Sequence, residues 1–168
     1  MTTEEKKMIL DLSMGSTSID YFFLNYPMDL GREKDYILNV LNQAYQERNS
    51  DDVEYALLLG FTISFFTEDF VDILCKLIRE GWHYKHEDIV LILQELKSPE
   101  SIDAIYDTAL RKFDYLSYDD SYALARKCIH ALGDINTEYS IEKLKLLATS
   151  EISIIREKAK KQLYYYKR

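Results

Sequence analysis

Apolar residues recur every three to four positions along most of the chain, with polar residues between them. Between residues 33 and 48 they are Tyr36, Ile37, Val40, Leu41, Ala44 and Tyr45. An α-helix repeats every 3.6 residues, so this spacing places them on one helical face. The same periodicity predicts further helices at 53–65, 67–81, 86–96, 99–110, 121–135, 137–148 and 153–166. No segment alternates long enough to require a strand, and we predict an all-α protein of about nine to ten helices.

An internal repeat organises the rest of the chain. Leu93–Ile102 aligns with Leu132–Ile141 at an offset of 39 residues, and a shorter offset of 32 relates residues 70–77 to 102–109. Repeats of this length are typical of stacked two-helix units, because no single unit buries its own apolar face. The sequence therefore predicts a solenoid of stacked antiparallel helix pairs.

The segment Cys128–Ile135, followed by Thr137–Leu147, resembles the HEAT-repeat family. It has an Ala-Leu-Gly step before the turn and an Ile-x-x-Leu face after it, and the resemblance extends from about Val53 to the C-terminus. The resemblance implies a right-handed solenoid in a single domain, residues 1–168. In this interpretation residues 1–48 are an N-terminal helical cap, residues 49–150 are about three helix-pair repeats, and residues 151–168 are a C-terminal capping helix.

Composition narrows the class of protein and of partner. The 168 residues are 47% hydrophobic, which fits one domain, and the net charge of -8 disfavours a nucleic-acid ligand, because affinity for phosphates depends on Lys and Arg. An acidic protein suits a basic protein partner, although acidic surfaces also keep proteins in solution. The chain begins without a secretory signal pattern, and its longest apolar-rich stretch, residues 56–66, is too short to cross a bilayer. We predict a cytoplasmic protein without a membrane segment.

Reactive side chains are densest in Trp82–Asp88, which contains His83 and His86. A zinc site needs three or four convergent ligands, and no recognised spacing supplies the others. Glu87 and Asp88 also suit the first turn of a helix, so we favour packing and helix initiation over a metal or acid-base site. The chain has no phosphate-binding glycine loop, nucleophile elbow or His-Glu-x-x-His motif, and we predict no catalytic residues, no metal and no cofactor.

A tyrosine-rich acidic segment precedes the predicted helix at 121–135. The candidate binding residues in it are Tyr115, Tyr118, Asp119, Asp120 and Tyr122. Two interpretations compete here. The carboxylates suit a helix N-terminus, whereas tyrosines beside carboxylates suit recognition of a basic protein.

The HEAT resemblance implies a second candidate surface. In that family the second helix of each pair lines a concave face that commonly binds the partner. The matching outward carboxylates in this sequence are Asp69, Asp72, Asp103, Asp107 and Glu142. The alternative is that these carboxylates are merely hydrated, as most carboxylates on helix surfaces are.

Together these features predict a non-catalytic protein–protein interaction module, such as a bacterial immunity-type inhibitor or an adaptor that binds a basic protein. The first alternative is an enzyme resembling the HEAT-like DNA glycosylases or pigment lyases. The glycosylases require a basic groove, which the net charge disfavours, and the lyases require a pigment pocket. The second alternative is a structural homo-oligomer, and the sequence fixes neither the partner nor the oligomeric state.

Overall fold

A computed structural model describes residues 1–28, 30 and 35–165, and confirms the all-α class. Across these residues there are ten α-helices, three short 3-10 helices and no strand. The contacts divide the chain into two compact units, Met1–Asp69 and Phe70–Arg168. Residue 166, the predicted end of the last helix, lies outside the described residues. No helix in the described part of the chain is both long enough and apolar enough to span a bilayer.

The first unit contains four helices: α1 (Thr3–Ser13), α2 (Ile19–Asn25), α3 (Tyr36–Glu47) and α4 (Ser50–Thr62). Helix α4 packs against α3 and α1, and α1 also contacts α2. The apolar face predicted for residues 36–45 supplies Ile37, Leu41 and Ala44 to the core, where all three are almost fully buried. The hydrophobic effect therefore fixes α3 by the face that its sequence pattern indicates.

Polar groups join α1 to the starts of α3 and α4. The amino group of Met1 lies 2.7 Å from the Asp52 carboxylate, and the Lys6 ammonium lies 2.6 Å from it. On the other side, the Tyr36 hydroxyl donates a hydrogen bond of 2.6 Å to Glu5. Asp52 and Glu5 are mostly buried, so these partners offset the cost of removing the two carboxylates from water.

Gly60 lies where the end of α4 meets the Phe66 ring, and a methyl group there would overlap three atoms of that ring. We expect Gly60→Ala to lower the free energy of unfolding by about 1–3 kcal/mol, because overpacking outweighs the better helix propensity of alanine. Urea denaturation measures the change. Gly81→Ala is the matched control, because a methyl group added there would lie 3.7 Å from its nearest neighbour, a guanidinium nitrogen of Arg111. Equal stability of the two variants would contradict this account of Gly60.

The second unit contains six helices: α5 (Val71–Leu77), α6 (His86–Leu96), α7 (Ile102–Leu110), α8 (Ala123–Ile135), α9 (Glu138–Leu147) and α10 (Ser153–Tyr165). They contact one another in two series, α5 with α7 and α7 with α9, then α6 with α8 and α8 with α10. Helix α7 also packs extensively against α8. Hydrogen-bonding pairs join α6 to α8, with Gln94 2.5 Å from Asp134 and Lys127 2.7 Å from Glu87.

The 39-residue offset relates positions of equal burial. Ile89 of α6 and its counterpart Cys128 of α8 are both 0% exposed, and so are Ile105 of α7 and Leu144 of α9. The repeated apolar pattern thus corresponds to equivalent core positions in successive helices. Cys128 is a free thiol, as is Cys75.

Several helix ends differ from those that the apolar pattern predicts. Helix α4 ends at Thr62 rather than near 65, because Ser64 adopts a left-handed conformation with φ 54° and the Phe65 amide donates to the Gly60 carbonyl. Helix α5 ends at Leu77 rather than near 81, and α8 begins at 123 rather than 121. In each case a polar backbone contact, which a hydrophobic pattern does not record, sets the helix end.

Candidate functional site

Aromatic rings join the segment before α6 to the loop between α7 and α8, residues 111–122, which we call the acidic loop. The His83 and His86 rings are stacked, with centroids 4.4 Å apart and planes 17° apart. Phe113 of the acidic loop lies 3.8 Å from the His86 ring, and Tyr115 lies 5.5 Å from it. Both histidines are fully buried, so they attach the acidic loop to the start of α6.

Hydrogen bonds define which histidine nitrogens carry protons. Nε2 of His83 lies 2.8 Å from the Leu77 carbonyl oxygen, and Nε2 of His86 lies 2.7 Å from that of Glu80. A carbonyl oxygen only accepts, so each Nε2 carries a hydrogen and donates it. In the neutral ring Nδ1 is then an acceptor, and the Tyr115 hydroxyl donates to Nδ1 of His86 at 2.8 Å. The histidine pair therefore hydrogen-bonds both to the backbone carbonyls of Leu77 and Glu80 and to Tyr115 of the acidic loop.

Burial keeps both imidazoles neutral near pH 7. It lowers the pKa of His86 to about 4, and the neighbouring His83 ring contributes in the same direction. Burial likewise lowers the pKa of His83, against the opposing effect of its hydrogen bond to Leu77. The sequence favoured packing and helix initiation for these residues, and the structure places both in the core. No group of three or more His, Cys, Asp or Glu residues among those described is arranged to hold a metal ion.

We call Tyr84, Tyr115 and Tyr118 the tyrosine surface; Tyr84 and Tyr118 are exposed, and Tyr115 is half-buried. Tyr84 meets Tyr115 edge to face at 5.2 Å and is 65% exposed, and Tyr118 is 81% exposed. Burial raises the pKa of Tyr115 to about 12, and the nearby carboxylates of Glu87 and Asp88 add to the rise. Both carboxylates are paired with lysines, Glu87 with Lys127 at 2.7 Å and Asp88 with Lys85 at 3.8 Å, so the tyrosine surface borders charges of both signs.

The acidic loop divides its carboxylates between two roles. Asp119 accepts hydrogen bonds from the backbone amides of Ser121 at 2.9 Å and Ala123 at 2.8 Å, so it caps the start of α8. The Asp114 and Asp120 carboxylates make no hydrogen bond or ion pair with any residue that the structure describes. Tyr122, the last residue of the loop, has a left-handed backbone with φ 53°, which is uncommon for a bulky residue. Among the predicted loop residues, Asp119 is thus engaged in the fold, whereas Asp120 makes no such contact with the described residues.

A cavity of about 320 Å³ lies between the acidic loop and the starts of α8 and α10. Its lining is partly apolar, with Leu124, Ile152 and Ile155 beside the polar residues of the loop. Three predicted loop residues also line it: Asp119, Asp120 and Tyr122. The cavity thus combines an apolar wall with carboxylates and with the basic side chains of Arg111 and Lys112.

The carboxylates predicted for the concave face are mostly paired within the chain. The pairs are Asp72 with Lys76 at 2.6 Å, Asp107 with Arg79 at 3.6 Å, and Asp103 with Lys143 at 2.7 Å. Glu142 is exposed on α9, and Asp69, in the first unit, accepts a hydrogen bond of 3.4 Å from the Thr67 hydroxyl. The outward face of α5, α7 and α9 therefore carries cations and anions together rather than a field of one sign.

Sequence reasoning did not select Tyr84 as a binding residue. It is 31 residues from Tyr115 along the chain and belongs to a segment considered only for its histidines. No local spacing signals that pair. The sequence carried only an indirect signal for this contact. Two histidines at a predicted helix start and an aromatic-rich loop further along the chain are the kinds of residue that pack together in a core. The chain matches no protein-family model, no curated protein and no solved structure.

Proposed function

We propose that this protein is a non-catalytic binding module that presents the tyrosine surface and the adjoining carboxylates to a basic partner protein. The observation that carries the proposal is the exposure of Tyr84 and Tyr118 beside Tyr115, whose hydroxyl is hydrogen-bonded to the buried His86 ring. An exposed aromatic cluster on a firmly attached loop is typical of a protein-binding surface. The carboxylates of the acidic loop select the charge of the partner.

Attachment of the loop favours binding, because less conformational entropy is lost when the partner arrives. Tyrosine contributes a large contact area with only two side-chain torsions to order. Tyr115 is already ordered by its hydrogen bond to His86, and it supports the ring of Tyr84. The tyrosine surface is therefore preorganised.

Charge favours the acidic loop over the face of α5, α7 and α9. A Lys or Arg of the partner that approaches Asp107 has to compete with Arg79 of this chain. Asp114 and Asp120 impose no such competition from the residues that the structure describes.

We further propose that the second unit is a right-handed HEAT-like solenoid of helix pairs. The two series of helix contacts and the equal burial at the 39-residue offset support this arrangement. A cytoplasmic immunity-type inhibitor or adaptor is the role that we propose for such a module. In that role the tyrosine surface covers a basic patch of the partner.

Affinity capture from the source cells tests the proposal. The bait proteins are the wild type, a Tyr84→Ser/Tyr118→Ser/Asp120→Asn variant, and an Asp72→Asn/Glu142→Gln control from the helical face. We expect the wild type and the control to capture the same basic protein, with Kd values that agree within about twofold. Loss of the tyrosine surface weakens its binding at least tenfold, or about 1.4 kcal/mol, in a titration of the purified partner.

Salt dependence tests the electrostatic part separately. Raising NaCl from 50 to 300 mM is expected to weaken the wild-type complex several-fold, mainly by slowing association. Binding that ignores both salt and the tyrosine substitutions would overturn the proposed surface. A partner that fails to bind only the control variant would assign the function to the face of α5, α7 and α9 instead.

A further inference from the structure

The first unit exposes a set of large apolar side chains on α1 and α2, which we call the α2 surface. Its members and their exposed fractions are Leu10 41%, Met14 70%, Ile19 46%, Tyr21 58%, Phe23 47% and Leu24 84%. Single exposed apolar residues are normal, but a concentration of this kind marks an interaction surface. These six lie within fifteen residues of the chain, so the concentration is local.

The α2 surface is held in place rather than loosely attached. The turn between α1 and α2 contains Gly15 with φ 70°, and the Ser16 amide donates a hydrogen bond of 2.8 Å to the Asp11 carbonyl. Phe22 anchors α2 from below, because it is 0% exposed and its ring stacks on Tyr26 at 4.6 Å. A partner therefore meets a preformed apolar surface and has little of it to order.

The charged side chains within the span of the α2 surface are acidic. Between residues 8 and 28 the charged side chains are Asp11 and Asp20, and no Lys, Arg or His occurs there. A rotation of 100° per residue places Asp20 between Phe23 and Leu24 around the exposed side of α2. An occupant of this surface consequently covers a carboxylate along with apolar groups, and burial of that carboxylate costs free energy unless a cation accompanies it.

We infer that the α2 surface is a docking site for an amphipathic helix of a partner protein that carries Lys or Arg beside its apolar side chains. Such a helix covers Phe23 and Leu24 with its apolar face and places a cation against Asp20. A second copy of this chain fits less well, because the same surface supplies no cation to Asp20: no Lys, Arg or His occurs between residues 8 and 28. An anionic lipid surface repels the Asp20 carboxylate.

Fluorescence anisotropy with synthetic helical peptides tests this inference. The probe is a dye-labelled 14-residue peptide of leucine and lysine, and the comparison peptide has glutamate in place of lysine. We expect the lysine peptide to bind the wild-type protein at least tenfold more tightly than the glutamate peptide. Phe23→Ser/Leu24→Ser is expected to weaken binding of the lysine peptide at least tenfold, and Asp20→Asn about threefold.

Leu91→Ser/Leu146→Ser is the matched control, since it removes two exposed apolar side chains from the second unit. It is expected to bind the lysine peptide as the wild type does, and circular dichroism should give both double variants the wild-type helix content. Equal affinity of the Phe23/Leu24 variant and the wild type overturns the inference. So does a wild-type dimer in sedimentation that this variant abolishes, or binding of the wild type to phosphatidylcholine vesicles, because each assigns the surface to another occupant.

Discussion

Replacing His86 with alanine is expected to lower the free energy of unfolding by about 3 kcal/mol. The side chain is fully buried, and its ring packs against His83, Phe113 and Tyr115. Truncation of a large buried ring leaves a cavity that the surroundings fill only in part. The substitution also removes the ring N–H that donates to the Glu80 carbonyl and the ring nitrogen that accepts from the Tyr115 hydroxyl. Leaving these two groups without a partner lowers the free energy of unfolding further.

Urea denaturation followed by circular dichroism measures this effect. His130→Ala is the matched control, because it removes the same side chain from an exposed position on α8 and should change the free energy of unfolding by no more than about 0.5 kcal/mol. Hydrogen exchange adds a local readout, with faster exchange expected in the acidic loop of the His86 variant. A loss below about 1 kcal/mol would show that His86 is not the central attachment of the loop.

The sequence predicted the helices well because each helix is recorded locally. The 3.6-residue spacing in residues 36–45 and 86–96 depends only on neighbours within two turns, and both elements form where the pattern places them. The ends were less accurate because they depend on backbone hydrogen bonds. The Leu77 carbonyl, for example, accepts from the His83 ring six residues later and does not continue the helix.

The candidate site could be predicted only in pieces. The sequence identified the acidic loop and the histidine pair separately, but the hydrogen bond between His86 and Tyr115 joins residues that are 29 positions apart. A contact of that range follows from the packing of α6 against α8, which the periodicity does not specify. The α2 surface was missed for a related reason. The aromatic run at residues 21–24 falls within the predicted N-terminal cap, and the pattern did not show that Phe22 would be buried while Tyr21, Phe23 and Leu24 are exposed.

The histidine pair also makes stability depend on pH in a defined direction. A histidine whose folded pKa is lowered binds its proton more readily in the unfolded chain, so acid favours unfolding. For His86 the pKa changes from 6.5 to about 4, and the stabilising effect of its burial is complete above pH 6.5 and is lost as the pH falls towards 4. His83 acts in the same direction. Protonation of Nδ1 also reverses the hydrogen bond with Tyr115, because Nδ1 then donates and the hydroxyl oxygen accepts.

We expect the wild-type free energy of unfolding to fall by roughly 2 kcal/mol between pH 7.5 and pH 5, with His86 as the main cause. Carboxylates contribute little in this window, because those with lowered pKa values, such as Glu5 and Asp52, lose their stabilising effect only below their unfolded values of 4.5 and 3.8. Urea denaturation at each pH measures the fall, with His86→Gln expected to show a much smaller one and His130→Gln the full wild-type change. Titration of the wild-type imidazoles by NMR is an independent measurement. A His86 resonance that titrates near pH 6.5 in the folded protein would contradict the buried, neutral ring on which the attachment of the acidic loop depends.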